Sequence, residues 1–223
     1  MDLNNQSAVV TGGASGMGAV TAAALAARGA RVAVLDMNQK AAEEKASAIG
    51  GIGIVCDVAD AQSASSAVDQ VVAEIGPPRV VVNCAGIALA GRIVGRDGPH
   101  DLADYQKVIN VNLIGTFNIL RLTAATMSDL ELIGGSGGRG VIINTASVAA
   151  YDGQIGQAAY SSSKGGVVAL TLPAARELAR FGIRVMTIAH VLIKTPMLSG
   201  LPMEAQESLA DQVPFPRRLG EPE

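Results

Sequence analysis

The segment that most restricts the fold is Ser7-Ala8-Val9-Val10-Thr11-Gly12-Gly13-Ala14-Ser15-Gly16-Met17-Gly18. It is an apolar run that breaks into glycines and then enters the alanine-rich, helix-favouring stretch Ala19 to Arg28. Strand, glycine turn and helix in that order form a phosphate-binding unit. Glycine lets the backbone turn sharply and approach a pyrophosphate, and the helix start offers unpaired N–H groups at the positive end of its dipole. Dinucleotide binding is the expectation, with Ser15 and Met17 inside the turn, although the spacing Gly12, Gly16, Gly18 departs from the common G-x-G-x-x-G. The next apolar run, Arg31 to Leu35, reads as a buried parallel strand and ends at Asp36, 18 positions past Gly18. A carboxylate there either accepts hydrogen bonds from an adenosine ribose, which favours NAD over NADP, or caps a helix that starts near Gln39.

The same alternation continues. Ile52 to Cys56 runs into Asp57-Val58, and Arg79 to Val82 runs into Asn83-Cys84-Ala85-Gly86. Between them Gln62 to Ile75 carries a helical stripe that Gly76-Pro77-Pro78 stops. Strands alternating with helices predict a doubly wound parallel sheet with helices on both faces, in which Gly12, Asp36, Asp57 and Asn83 converge beyond the strand ends. At 223 residues, 49% of them hydrophobic, the chain fits one domain over residues 1–223. A formal net charge of -3 without blocks of like charge argues against nucleic acid as a partner. No apolar run reaches 18 uninterrupted residues and the first six lack the charge pattern of a signal peptide, so a soluble cytoplasmic protein is expected, with no membrane partner. Cys56 and Cys84 are expected to be free thiols. His100 and His190 lack companions for a metal site, so metal catalysis is not expected.

Leu102 to Met127 reads as one long helix whose inward stripe includes Asn112. A buried amide there either serves a functional network or is satisfied by neighbouring backbone. Ile133 to Gly138 reads as a flexible glycine-rich surface loop. After the strand-like run Val141 to Thr145 comes Ser147, then a loop into the helix Ala159 to Arg180, then a strand from Gly182 to Ile188. The end of the chain reads as irregular loop and short helix around Thr195 to Met197. In the helix, Tyr160 and Lys164 stand at i and i+4, one above the other on one face. A tyrosine loses its proton only near pH ~10, so a cation beside it is what would let it trade protons near neutrality. Ser147, at a strand end, could aim its hydroxyl at the same substrate atom.

Together, Thr11-Gly12-x-x-x-Gly16-x-Gly18, Asn83-x-Ala85-Gly86, Asn112, Ser147 and Tyr160-x-x-x-Lys164 resemble the short-chain dehydrogenase/reductase family over nearly the whole chain. The runs Gly140 to Ala150 and Gly153 to Tyr160, with Val213-Pro214-Phe215-Pro216 and Arg218-Leu219-Gly220, resemble its type II 3-hydroxyacyl-CoA dehydrogenases, which also act on hydroxysteroids. The resemblance implies Tyr160 as general acid/base and Ser147 as a hydrogen-bond partner of the same oxygen. It implies that Lys164 lowers the tyrosine's pKa and binds the nicotinamide ribose, and that Asn112 anchors a water relay. Gly12, Ser15, Gly16, Met17, Gly18, Asp36, Asp57, Val58, Asn83, Ala85, Gly86, Tyr160, Lys164 and Thr195 would contact NAD. Ser147, Tyr160 and Gln157 would contact a small-molecule substrate, in a homo-oligomer of two or four subunits.

Two departures stand out. His190-Val191 occupies the place of the family's Pro-Gly, where a bulky pair could crowd the nicotinamide. The family also continues through a further helix and a seventh parallel strand. The sequence stops at Glu223, so a six-stranded sheet with an exposed edge, in a sequence cut short of the family's end, is expected. These departures keep a non-catalytic nucleotide-binding scaffold as the alternative to a dehydrogenase of 3-hydroxyacyl-CoA, of steroids or of other secondary alcohols.

Overall fold

Valine, isoleucine and alanine fill the short runs that become strands, and their alternation decides which face of the sheet each side chain serves. Ala8, Val10, Val32, Val34, Val80 and Val82 point to one side; Val9, Ala33, Leu35 and Val81 point to the other. Residues buried on both faces mark a parallel sheet covered by helices on both sides. The computed structural model describes all residues except 134, 136, 200–202 and 223.

In chain order the elements are β1 (Ser7–Thr11), α1 (Gly16–Ala26), β2 (Arg31–Asp36), α2 (Gln39–Ile49), β3 (Ile52–Val55), α3 (Ala61–Ile75) and β4 (Val80–Asn83). A two-stranded hairpin follows, β5 (Val94–Gly95) and β6 (Gly98–Pro99), then α4 (Leu102–Ile109), a π-turn (Asn110–Ile114) and α5 (Gly115–Ser128). The chain closes with β7 (Gly140–Ser147), α6 (Ala158–Leu178), β8 (Ile183–His190), α7 (Pro196–Ser199) and α8 (Met203–Asp211). The six long strands pair in parallel in the order β3-β2-β1-β4-β7-β8. Counted within the sheet alone this is 3-2-1-4-5-6, the order of the Rossmann fold, so the molecule is a single Rossmann-like α/β domain.

The chain reverses its winding direction between β1 and β4, and a ligand crevice opens beyond the carboxyl ends of these strands. One core cluster packs α1 and α2 against the sheet through Ala22, Ala42 and Ala46. The opposite cluster uses α3, α5 and α6 through Val71, Ile119, Met127 and Ala174. Burying a valine- or leucine-sized side chain contributes about 1.5–3 kcal/mol, so these two layers dominate stability. β8 is an edge strand: Ile183 and Val185 are buried, whereas Met186 and Ile188 on the other face are more than half exposed. The exposed edge expected from the sequence is therefore present, and among the described residues the sheet holds six strands.

The helical rod from Leu102 to Ser128 departs from the expected uninterrupted α-helix by widening into a π-turn around Asn112. Its best 18-residue window has a mean hydropathy of 1.3, which would suit a bilayer, but half of that window is buried inside the fold. The hairpin and α8 were not expected. Within the expected Ile133 to Gly138 loop, Ile133 and Gly138 form an antiparallel bridge; Gly134 and Ser136 lie outside the described residues.

Candidate active site

The cleft beyond the strand ends, about 300 Å³, is lined along one half by Gly12, Ser15, Gly16, Met17, Asp36 and Val58, with Thr195 against Gly16, and along the other by Tyr160, Lys164 and His190. The first half is built mainly from backbone. Gly12 has φ +59°, and a Cβ on it would lie 2.8 Å from Ala85 Cα; a Cβ on Gly18 would lie 2.2 Å from Gly12 O. Such spacing excludes side chains and brings the turn flush against the start of α1. Asn38, Asp60 and Asp101 cap α2, α3 and α4 with their side chains, but Ser15 makes no such bond at the start of α1. The first N–H groups of α1 are therefore left for an anion. At the end of β2, Asp36 accepts hydrogen bonds from Asn38 N (3.0 Å) and Ala14 N (3.2 Å), holding its carboxylate at the cleft rim. These residues fit a dinucleotide: an acidic rim for a ribose, a glycine floor and an uncapped helix for a pyrophosphate.

The second half is built from side chains. Ser147 closes β7, 6% exposed, while Tyr160 and Lys164 come from the first two turns of α6. Lys164 is 4% exposed, and its ammonium stands 5.7 Å from the Tyr160 ring centre and donates to Thr145 O at 2.7 Å. Thr145 Oγ1 in turn donates to Asn83 O at 2.8 Å, which ties the ammonium's anchor to β4. Gly86 leaves room behind: a Cβ there would meet Asn112 Oδ1 at 3.3 Å and Lys164 Nζ at 3.7 Å.

Asn112 is fully buried and fully engaged. Its Oδ1 accepts from Ile87 N (2.8 Å), and its Nδ2 donates to Ile87 O (2.9 Å) and to Ser163 Oγ (3.0 Å), which itself donates to Tyr160 O (2.7 Å). The amide thus braces the Ala85–Ile87 loop against the turn of α6 that carries Tyr160. Both amide hydrogens are used within the protein. The π-turn leaves Asn112 O facing Thr116 Oγ1, which donates to it at 2.7 Å.

Burial sets the charges. The Lys164 ammonium is pushed down from 10.5 to about 8 because it sits away from water. The Tyr160 phenol is raised above its ordinary value by burial, and a hydrogen bond from Ser147 pulls part of that back. This corrects the expectation of a tyrosine acidified by Lys164: burial holds Tyr160 in its phenol form near neutrality, and the group that works against burial is Ser147. His190 pairs in register with Ser147 across β7 and β8 and reaches the cleft, with its Nδ1 2.9 Å from Val191 O.

A family profile described as short chain dehydrogenase matches residues 6–206. The chain belongs to the short chain dehydrogenase family. Among curated relatives it is 51% identical over 219 residues to the 3-hydroxyacyl-CoA dehydrogenase type-2 of Rattus norvegicus, covering 96% of this chain and 84% of the relative. It is 49% identical to the same-named protein of Homo sapiens over the same shares. Identity falls to 36% with the human (3R)-3-hydroxyacyl-CoA dehydrogenase, over 99% of this chain and 85% of that one. The crystal structure of 3-hydroxyacyl-CoA dehydrogenase type-2 from Mycobacterium avium superposes with a TM-score of 0.90 at 39% identity, covering 98% of this chain and 85% of that one.

As in a short chain dehydrogenase, a nicotinamide cofactor is implied, and most residues predicted to meet it do line the cleft: Gly12, Ser15, Gly16, Met17, Gly18, Asp36, Val58, Ala85, Gly86 and Thr195. Two do not. Asn83 is 2% exposed and donates its amide to Asn144 Oδ1 at 2.9 Å between β4 and β7, leaving Asn83 Oδ1 and Asn144 Nδ2 without partners. Asp57 accepts from Ala59 N at 2.9 Å and shapes the turn before α3. Their place in sequence after a strand suggested the rim; the pleat and the local turn direct their side chains elsewhere. Gln157 precedes α6 as its N-terminal cap position, with its Oε1 accepting from Gln154 N at 2.9 Å, and does not line the cleft. Sequence reading missed Ser163, indistinguishable within the run Ser161-Ser162-Ser163, and Thr145, whose carbonyl rather than side chain holds Lys164. Among the described residues, no cluster of His, Cys, Asp and Glu could hold a metal ion, and both cysteines are free thiols.

Proposed function

We propose that this oxidoreductase is an NAD-dependent 3-hydroxyacyl-CoA dehydrogenase of fatty-acid metabolism, a homo-oligomer of the cytoplasm. The observation that carries the reaction is the convergence of Ser147, Tyr160 and Lys164 at one end of a dinucleotide cleft. Asp36 at the other end supports NAD, because its carboxylate accepts ribose hydroxyls and repels a 2′-phosphate. The substrate class rests on the printed names of relatives about half identical over nearly the whole chain. Half-exposed Ile114 and Phe117 on the helical rod support self-association.

When bound, the nicotinamide supplies the two-electron acceptor or donor. The protein's part is the proton. In the reducing direction Tyr160 gives its phenolic proton to the substrate oxygen as the carbonyl becomes an alcohol, while Ser147 holds that oxygen by a hydrogen bond. In the oxidising direction Tyr160 must first be a phenolate, and the raised pKa makes this direction gain with pH.

The test is cofactor turnover with acetoacetyl-CoA and 3-hydroxybutyryl-CoA, each with NAD and NADP forms, followed by nicotinamide absorbance. Turnover strongly favouring NAD is expected. Turnover of steroid alcohols alone would replace the substrate, and a preference for NADP would remove Asp36 from its role.

A further inference from the structure

β8 ends at His190, and parallel register partners share a sheet face, so His190 emerges on the same side as Ser147. Its ring lines the cleft together with Tyr160 and Lys164. Val191 O can only accept, so the 2.9 Å contact places the ring proton on Nδ1 and leaves Nε2 as the basic nitrogen. Ser147 stands beside His190 in register on β7, the Lys164 ammonium of α6 acts on its ring, and Tyr160 of α6, Cys84 of the loop after β4 and Thr195 line the same cleft. Among the described residues lining the cleft, the sole carboxylate is Asp36, on β2. Four strand spacings separate β2 from β8 in the sheet, roughly 19 Å at ~4.8 Å each.

We propose that His190 sets the preference of this site between oxidised and reduced nicotinamide. The proposal rests on the cofactor reading above. An oxidised nicotinamide ring carries a positive charge and a reduced ring carries none. A neutral imidazole beside Lys164 tolerates both forms, whereas an imidazolium adds a second cation with no carboxylate nearby to balance it. Burial holds His190 below the usual histidine range; the Val191 carbonyl opposes this and the Lys164 ammonium reinforces it. The imidazole is therefore neutral near neutrality and gains its proton only in acid, a range over which Lys164 stays charged. Groups that do not sense the ring charge, Asp36 among them, act equally on both forms and cancel in the ratio of affinities.

The experiment is calorimetric binding of oxidised and reduced NAD, without substrate, to the wild type, His190→Gln and His190→Lys, at about pH 7 and about pH 5. In the wild type the affinity ratio, oxidised over reduced, is expected to fall on acidification, by up to roughly five- to tenfold for a fully charged imidazole, the size of one like-charge contact in a partly screened site. His190→Gln should keep one ratio at both values, and His190→Lys should show the acid ratio already at about pH 7. A ratio that falls equally in the wild type and His190→Gln, or that His190→Lys leaves unchanged, overturns the proposal. Loss of binding of both forms by the wild type would overturn the cofactor reading as well. Normal ratios without turnover of the acyl-CoA pair would remove only the substrate.

Discussion

The two halves of the cleft are made of different material. Along the phosphate half, Gly12 and Gly18 leave less than 3 Å for any added carbon, and recognition falls to backbone and the uncapped start of α1. Along the catalytic half, Tyr160, Lys164 and His190 are side chains whose protonation burial displaces. The first half should therefore respond to shape and hardly to pH, the second to pH and hardly to small changes of shape.

The sharpest way to break this contrast is Tyr160→Phe, which keeps the ring and removes the proton. Turnover should fall about 10²- to 10⁴-fold while the affinity for NAD stays within a few-fold; an equal loss of binding would make Tyr160 a structural residue. Gly12→Ala should act in the opposite manner. The added methyl meets backbone at 2.8 Å in a left-handed conformation, so stability or cofactor affinity should drop by about 1–3 kcal/mol, equally at every pH. Binding isotherms and denaturant midpoints measured across pH would reveal any slope.

Lys164 gives a test in stability alone. Its folded pKa, about 8, lies below the unfolded 10.5, so between these values the unfolded chain binds more protons and stability rises with pH. From about pH 9 the thiols of Cys56 and Cys84, raised to about 12 and about 11, oppose it. The ligand-free protein should gain on the order of 1 kcal/mol from pH ~7 to ~9, and Lys164→Met should flatten that rise. A parallel slope in the variant would show that another group titrates there. The smallest effect is expected where Gln154 Nε2 donates to Gln212 Oε1 at 2.8 Å and joins the loop before α6 to the segment after α8. Gln154→Ala should raise KM by no more than about threefold with kcat unchanged, since an exposed hydrogen bond lies at the low end of the usual range, about 0.5 kcal/mol.

The difference between the halves also explains what could be read in advance. Glycines, strand alternation and the Asp36 position are local patterns with local causes, and the six strands, the cleft and its phosphate end followed from them. The catalytic residues were legible by kind and spacing, but their electrostatics were not, since the raised Tyr160 pKa reflects how much water the surrounding elements exclude. The π-turn was invisible because one widened turn scarcely disturbs a 3.6-residue stripe. Asn83 and Asn144 pair across β4 and β7, a contact between residues 61 positions apart that no local pattern announces.

The widened turn at Asn110–Ile114 has one more consequence. Upstream of it the rod packs against α6, and downstream it packs against α3 and the sheet. The changeover takes place inside an unbroken helix, at the residue that braces the Tyr160 turn. A single rod thus serves two neighbours with separate sequence requirements, and mutational drift on the α3 side can proceed without retuning the scaffold on which the proton donor rests.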